Sequence, residues 1–148
     1  MGGSIFIAML AAVFLWWFST GAILLVVRLM ENHSLSAKLK VCIFSFPILA
    51  IGLWGIWETS SNLTILGSYL AFVSAIFVWG WIELTFLTGV ITGPNKSQCP
   101  KNIILFEKFI RAWGTLAYHE VSLLLALGVV IYLGYGQENH FGIWTFTV

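Results

Sequence analysis

The chain has 148 residues, 59% hydrophobic and only 9% charged, with a mean hydropathy of +0.95 and a formal net charge of +1. A soluble domain carries about 25% charged residues, so there is too little polar surface here for a water-facing globule. The apolar runs are long and continuous, which excludes the short alternating strands of a transmembrane barrel, and no patch mixes basic and aromatic residues as a nucleic-acid binder would.

Met1 to Ser4 carries no Lys or Arg, and Ile5 to Val27 is uncharged up to Arg28. A signal peptide needs a basic start and a shorter apolar core. This run is long enough to cross a hydrocarbon core about 30 Å thick and predicts a first span over about 5–29. Trp16 and Trp17 fall in mid-run. They are placed to face another helix or a pigment rather than lipid headgroups.

Arg28 to Lys40 reads as a short polar loop, with His33 solvated among Glu31, Lys38 and Lys40. A second span follows over 41–57, close to the lower length limit of about 17 residues. Pro47 should kink it, because proline supplies no helical N–H. Glu58 to Asn62 is a tight connection, and Asn62-Leu63-Thr64 is a weak glycosylation match beside the membrane.

The third span covers 64–88. Gly67, Ala71 and Ala75 form a row of small residues that lets another helix approach closely. Gly80 clears space one turn before Glu83, the acid near the end of this span. The chain then leaves through Gly89, turns at Gly93-Pro94 and enters a polar loop ending at Cys99-Pro100. Cys42 and Cys99 have neither a CxxC nor a zinc spacing and read as free thiols.

Residues 103–111 have an amphipathic pattern. Ile103, Phe106 and Ile110 share one face, and Glu107, Lys108 and Arg111 the other. This predicts an interfacial helix before the chain turns inward. Val121 to Leu133 alone gives only about 20 Å of helix, so the fourth span must begin near Ala112 and is set at 112–134. Tyr118, His119 and Glu120 are thereby drawn inside the hydrocarbon edge. After a polar stretch, residues 141–148 turn apolar again and read as the start of a truncated further span.

All seven Lys and Arg residues lie in segments 28–40 and 96–111. The positive-inside rule makes those loops cytoplasmic and the N-terminus periplasmic, and the alternation holds across all four spans. The fold class is an all-α membrane protein: one polytopic helical bundle of four transmembrane helices plus the start of a fifth.

In that bundle Glu83 and His119 lie at similar depth on consecutive, antiparallel spans, with Glu120 adjacent. Several chemistries suit such a set. The carboxylate and imidazole can pair with each other or with Tyr118, Thr85 or Thr115. Glu83, His119 and Glu120 can serve as ligands for iron, manganese or zinc, although they are only three and adjacent side chains diverge by about 100°. His119 can ligate a tetrapyrrole metal, with Gly114 and Ala117 leaving room nearby. A proton or ion pathway is a further use. No nucleophile triad, phosphate loop or dinucleotide fingerprint is present.

The strings Phe14-Leu15-Trp16-Trp17-Phe18-Ser19-Thr20-Gly21, Trp79-Gly80-Trp81-Ile82-Glu83, Phe86 to Pro94, Cys99-Pro100, Tyr118-His119-Glu120 and Gly142 to Phe146 resemble the photosynthetic complex assembly protein 2 family, the PuhE type. The match covers nearly the whole chain in order, as an N-terminal part of the family's length. Trp79, Trp81, Glu83, Gly93, Pro94, Cys99, Pro100, His119 and Glu120 coincide with its recurrent positions. Ile82 departs from it, since the family often carries His there. The resemblance implies an accessory or assembly protein in the inner, photosynthetic membrane of purple bacteria. Its expected partners are reaction-centre and core antenna subunits and membrane lipid, with bacteriochlorophyll or carotenoid in contact and no catalysis. A membrane metalloenzyme acting on a pigment, carotenoid or lipid through Glu83, His119 and Glu120 is the alternative.

Overall fold

A computed structural model describes residues 2–95, 100 and 103–148. Among them the chain forms six helices: α1 (Gly2–Met30), α2 (Leu35–Phe44), α3 (Phe46–Thr59), α4 (Ile65–Leu87), α5 (Leu105–Gly134) and α6 (Phe141–Thr147). Four segments are long and apolar enough to cross a membrane: Phe6–Met30, Leu35–Thr59, Ile65–Leu87 and Leu105–Gly134. Lys96, Cys99 and Lys101, part of the polar loop read from the sequence, lie outside the described residues.

The second span is a broken helix. Ser34 caps α2 by accepting from the Ala37 N–H, which starts the helix at Leu35 rather than at Val41. Lys38 and Lys40 are thus drawn onto its first turns, where long stems carry their charges outward. The break falls at Ser45, and Pro47 sits in the first turn of α3, where a missing N–H costs least.

The expected division between an interfacial helix and a fourth span is absent. One helix runs from Leu105 through Gly134. Residues 103–111 and 112–134 both have helical period, and no glycine–proline pair stands at Ala112 to separate them. At the other end, 141–148 opens as the short helix α6.

The centre of the bundle is α4. Nine of its residues are buried, from Gly67 to Thr85, whereas none of the hydrophobic window of α1 is. Ile56, Ala75, Val78, Ile82 and Val130 form the core, with Leu49, Leu53, Trp81, Ile143 and Phe146 against it. Contact between α3 and α4 is close because Gly52 and Gly55 face Ser74. A Cβ on Gly52 would stand 2.8 Å from the Ser74 carbonyl oxygen, and one on Gly55 would collide with the Ser74 hydroxyl. The small row on α4 serves other neighbours. Gly67 lies under Asn62, and Gly142 of α6 lies near Ala71. Trp16 and Trp17 are largely exposed on α1, at 57% and 68%.

A polar clasp joins the ends of α3, α4 and α6. The buried Asn139 donates from Nδ2 to the carbonyls of Thr59 (3.0 Å) and Asn62 (2.8 Å), and its N–H donates to Ser60 (2.8 Å). Its Oδ1 accepts from the Phe141 N–H at the start of α6. The Asn62 side chain in turn accepts from the N–H and hydroxyl of Thr64, the N-cap of α4.

Candidate functional site

Glu83 and His119 do meet. His119 Nε2 stands 3.8 Å from Glu83 Oε2, with the two side chains 10% and 22% exposed. That is an ion-pair distance when the imidazole is protonated, but longer than a hydrogen bond. The His119 ring stacks on Phe86, with centroids 4.1 Å apart and planes tilted by 23°. Its Nδ1 is buried without a hydrogen-bond partner among the described residues.

The chain after α4 holds this arrangement in place. It reverses at Gly89, whose φ of +80° suits glycine, and the N–H groups of Val90 and Ile91 both donate to the Thr85 carbonyl. The segment then lies along α5. The Thr92 carbonyl accepts from the N–H groups of Tyr118 (2.9 Å) and His119 (3.1 Å), and the Asn95 N–H donates to Gly114 (3.1 Å). Asn95 Nδ2 donates to the Arg111 carbonyl. Gly93 lies directly on Gly114, where any Cβ would strike the Gly114 carbonyl oxygen. The backbone bonds of His119 itself thus fix its height on α5 relative to Glu83 on α4. The sequence reading missed Phe86, Thr92 and Asn95 as supports. The pairing of two small residues, Gly93 and Gly114, was the available signal.

The hydroxyls expected near the pair turn away from it: Thr85 donates to the Ile82 carbonyl and Thr115 to that of Ala112. Elsewhere on α4, Trp81 Nε1–H donates to the Cys42 carbonyl (3.1 Å), and Cys42, free and buried, lies 3.5 Å from the Thr88 hydroxyl.

Glu120 does not join. It is exposed on α5, because the next residue along a helix points about 100° away from the buried His119. Among the described residues no three His, Cys, Asp or Glu side chains gather as a metal-binding group, so Glu83, His119 and Glu120 do not form the ligand set read from the sequence. The tetrapyrrole reading fits no better. Phe86 covers one face of the His119 ring, Nε2 faces Glu83, and Nδ1 is enclosed. Two apolar cavities lie along the seam of α1 and α4, away from the pair. One of about 430 Å³ is lined by Ile7, Ala12, Tyr69 and Phe72. The other, of about 400 Å³, is lined by Phe18, Ile23, Phe77 and Trp81.

Residues 3–148 match the family described as protein of unknown function, DUF3623. The chain belongs to that family. A relative from Rhodobacter capsulatus, described as an uncharacterized 30.4 kDa protein in the puhA 5′ region, is 41% identical over 137 residues, covering 93% of this chain and 50% of the relative. This DUF3623 chain therefore spans about half the length of the curated relative it matches. No solved structure matches it.

Proposed function

We propose that this chain is an integral membrane accessory or assembly protein of a bacterial photosynthetic reaction centre–core antenna complex. It acts by helix, lipid and pigment contacts rather than by catalysis. The observation that carries the reading is the relative's place in the puhA 5′ region at 41% identity, which agrees with the PuhE-type resemblance. Structural support comes from α1, where Phe14, Trp17 and Phe18 lie on one side of the helix and are all exposed. Such a face presents large apolar rings at helix depth, suited to a neighbouring helix, bacteriochlorophyll or carotenoid. The proposed location is the inner, photosynthetic membrane, with the N-terminus periplasmic and segments 28–40 and 96–111 cytoplasmic.

Affinity purification from detergent-solubilised photosynthetic membranes tests the reading. Reaction-centre or core antenna subunits are expected to elute with the protein, and elution without any of them overturns it. Elemental analysis of the same sample checks the non-catalytic part. A stoichiometric transition metal that disappears in the His119→Ala variant would contradict it.

A further inference from the structure

Glu120 presents a carboxylate to the outside of α5 with no cation beside it among the described residues. The ion pairs there are Arg111 with Glu107 and His119 with Glu83. On a helix, the residues four before, four after and seven before Glu120 share its face. These are Leu116, Leu124 and Trp113, which are 38%, 67% and 60% exposed. The carboxylate therefore stands in an open apolar strip that none of the described residues covers.

Its depth makes that position costly. Trp113 near one end of α5 and Tyr132 near the other are 60% and 80% exposed. They are separated by about 28 Å of helix, close to the thickness of the hydrocarbon core, and aromatic residues of this kind mark its two edges. Glu120 then lies about 10 Å inward from Trp113. Helical side chains lean toward the N-terminus, which here is the nearer edge, yet a glutamate is too short to cover that distance. An ionised carboxylate facing lipid at this depth is strongly disfavoured, and such residues face protein or pair with an opposite charge.

We infer that the Glu120 strip of α5 is a docking face for a transmembrane helix of another protein that brings a Lys, Arg or His side chain to the level of Glu120. Charge complementarity selects the occupant: an apolar helix or lipid chain would leave the carboxylate uncompensated, whereas a basic side chain at that level pairs with it. The inference sharpens the accessory role proposed above and rests on it for the partner's identity only. The docking chemistry stands on the geometry of α5.

The test places a photo-crosslinking amino acid at Leu124 of the membrane-embedded protein and maps adducts by mass spectrometry in native membranes. A peptide adduct from another protein's transmembrane segment that contains Lys, Arg or His is expected. It should be lost in Glu120→Gln and in Glu120→Lys. Thermal stability in detergent should stay unchanged in both variants, because Glu120 makes no ion pair within the described chain. Adducts to lipid alone, adducts to a second copy of this chain, or protein adducts unaffected by Glu120→Gln each overturn the inference. A basic partner helix from a protein outside the photosynthetic complex would support the docking chemistry while refuting the proposed function.

Discussion

Gly93 rests on Gly114 with no room for a side chain between them, since a Cβ on Gly93 would collide with the Gly114 carbonyl oxygen. This close approach lets Thr92 reach the N–H groups of Tyr118 and His119. Gly93→Ala should lower stability by about 1–3 kcal/mol, the usual cost of overfilling a packed site. Thermal unfolding in detergent measures it. Gly128→Ala is the control: nothing lies within 4 Å of its Cβ position, and alanine favours a helix over glycine by roughly 0.5–1 kcal/mol. A harmless Gly93→Ala would show that the segment does not lie against α5.

The Glu83–His119 pair should behave as a unit. His119→Phe keeps a ring on Phe86 but leaves the carboxylate without its imidazole, and Glu83→Met leaves the imidazole without its carboxylate. Each single change should cost about 1–3 kcal/mol. The double variant should recover most of that loss, because replacing both partners of a largely enclosed pair by apolar groups of similar size is often near neutral. A double-mutant cycle of unfolding free energies checks this, and strict additivity would mean that the two groups do not interact.

Asn139 offers a test of donation against capping. Asn139→Asp keeps an acceptor for the Phe141 N–H but has no amide to donate to Thr59 and Asn62. It should be destabilised as much as Asn139→Ala, on the order of 1–3 kcal/mol for the two lost amide hydrogen bonds. Thermal unfolding of the two variants decides. If Asp were tolerated and Ala not, the cap on α6 would be the interaction that matters.

At the α3–α4 contact, Gly55→Ala should be destabilising because its new methyl meets the Ser74 hydroxyl. Adding Ser74→Ala removes that oxygen and should restore part of the stability. Gly52→Ala should gain nothing from the same second change, since its obstacle is the Ser74 backbone carbonyl at 2.8 Å. Melting temperatures of the four variants separate the two cases.

The meeting of Glu83 with His119 was readable beforehand. Two polar residues at one depth on consecutive antiparallel spans have few other places to go, and short connections keep such helices adjacent. What failed was the third member. The roughly 100° between adjacent helical side chains, a mark against the three-residue set in the sequence itself, turns Glu120 away from the buried imidazole. The Asn139 clasp was also invisible, because a lone Asn in a polar stretch carries no sign of the distant carbonyls at Thr59 and Asn62 that it satisfies.

Composition and the lengths of the apolar runs were enough to establish four helices able to cross a membrane, because the length needed to cross a bilayer and the cost of charge within it act on the linear chain. They could not say which side of each helix faces its neighbours. A helix that is apolar all round carries no polar stripe to reveal its rotation, so α1 and α4 look alike as strings. In the fold α4 is buried at the centre while α1 faces outward. Rotation is set by where glycines and small residues let backbones close on one another. For α5, that choice buries His119 and leaves Glu120 facing out.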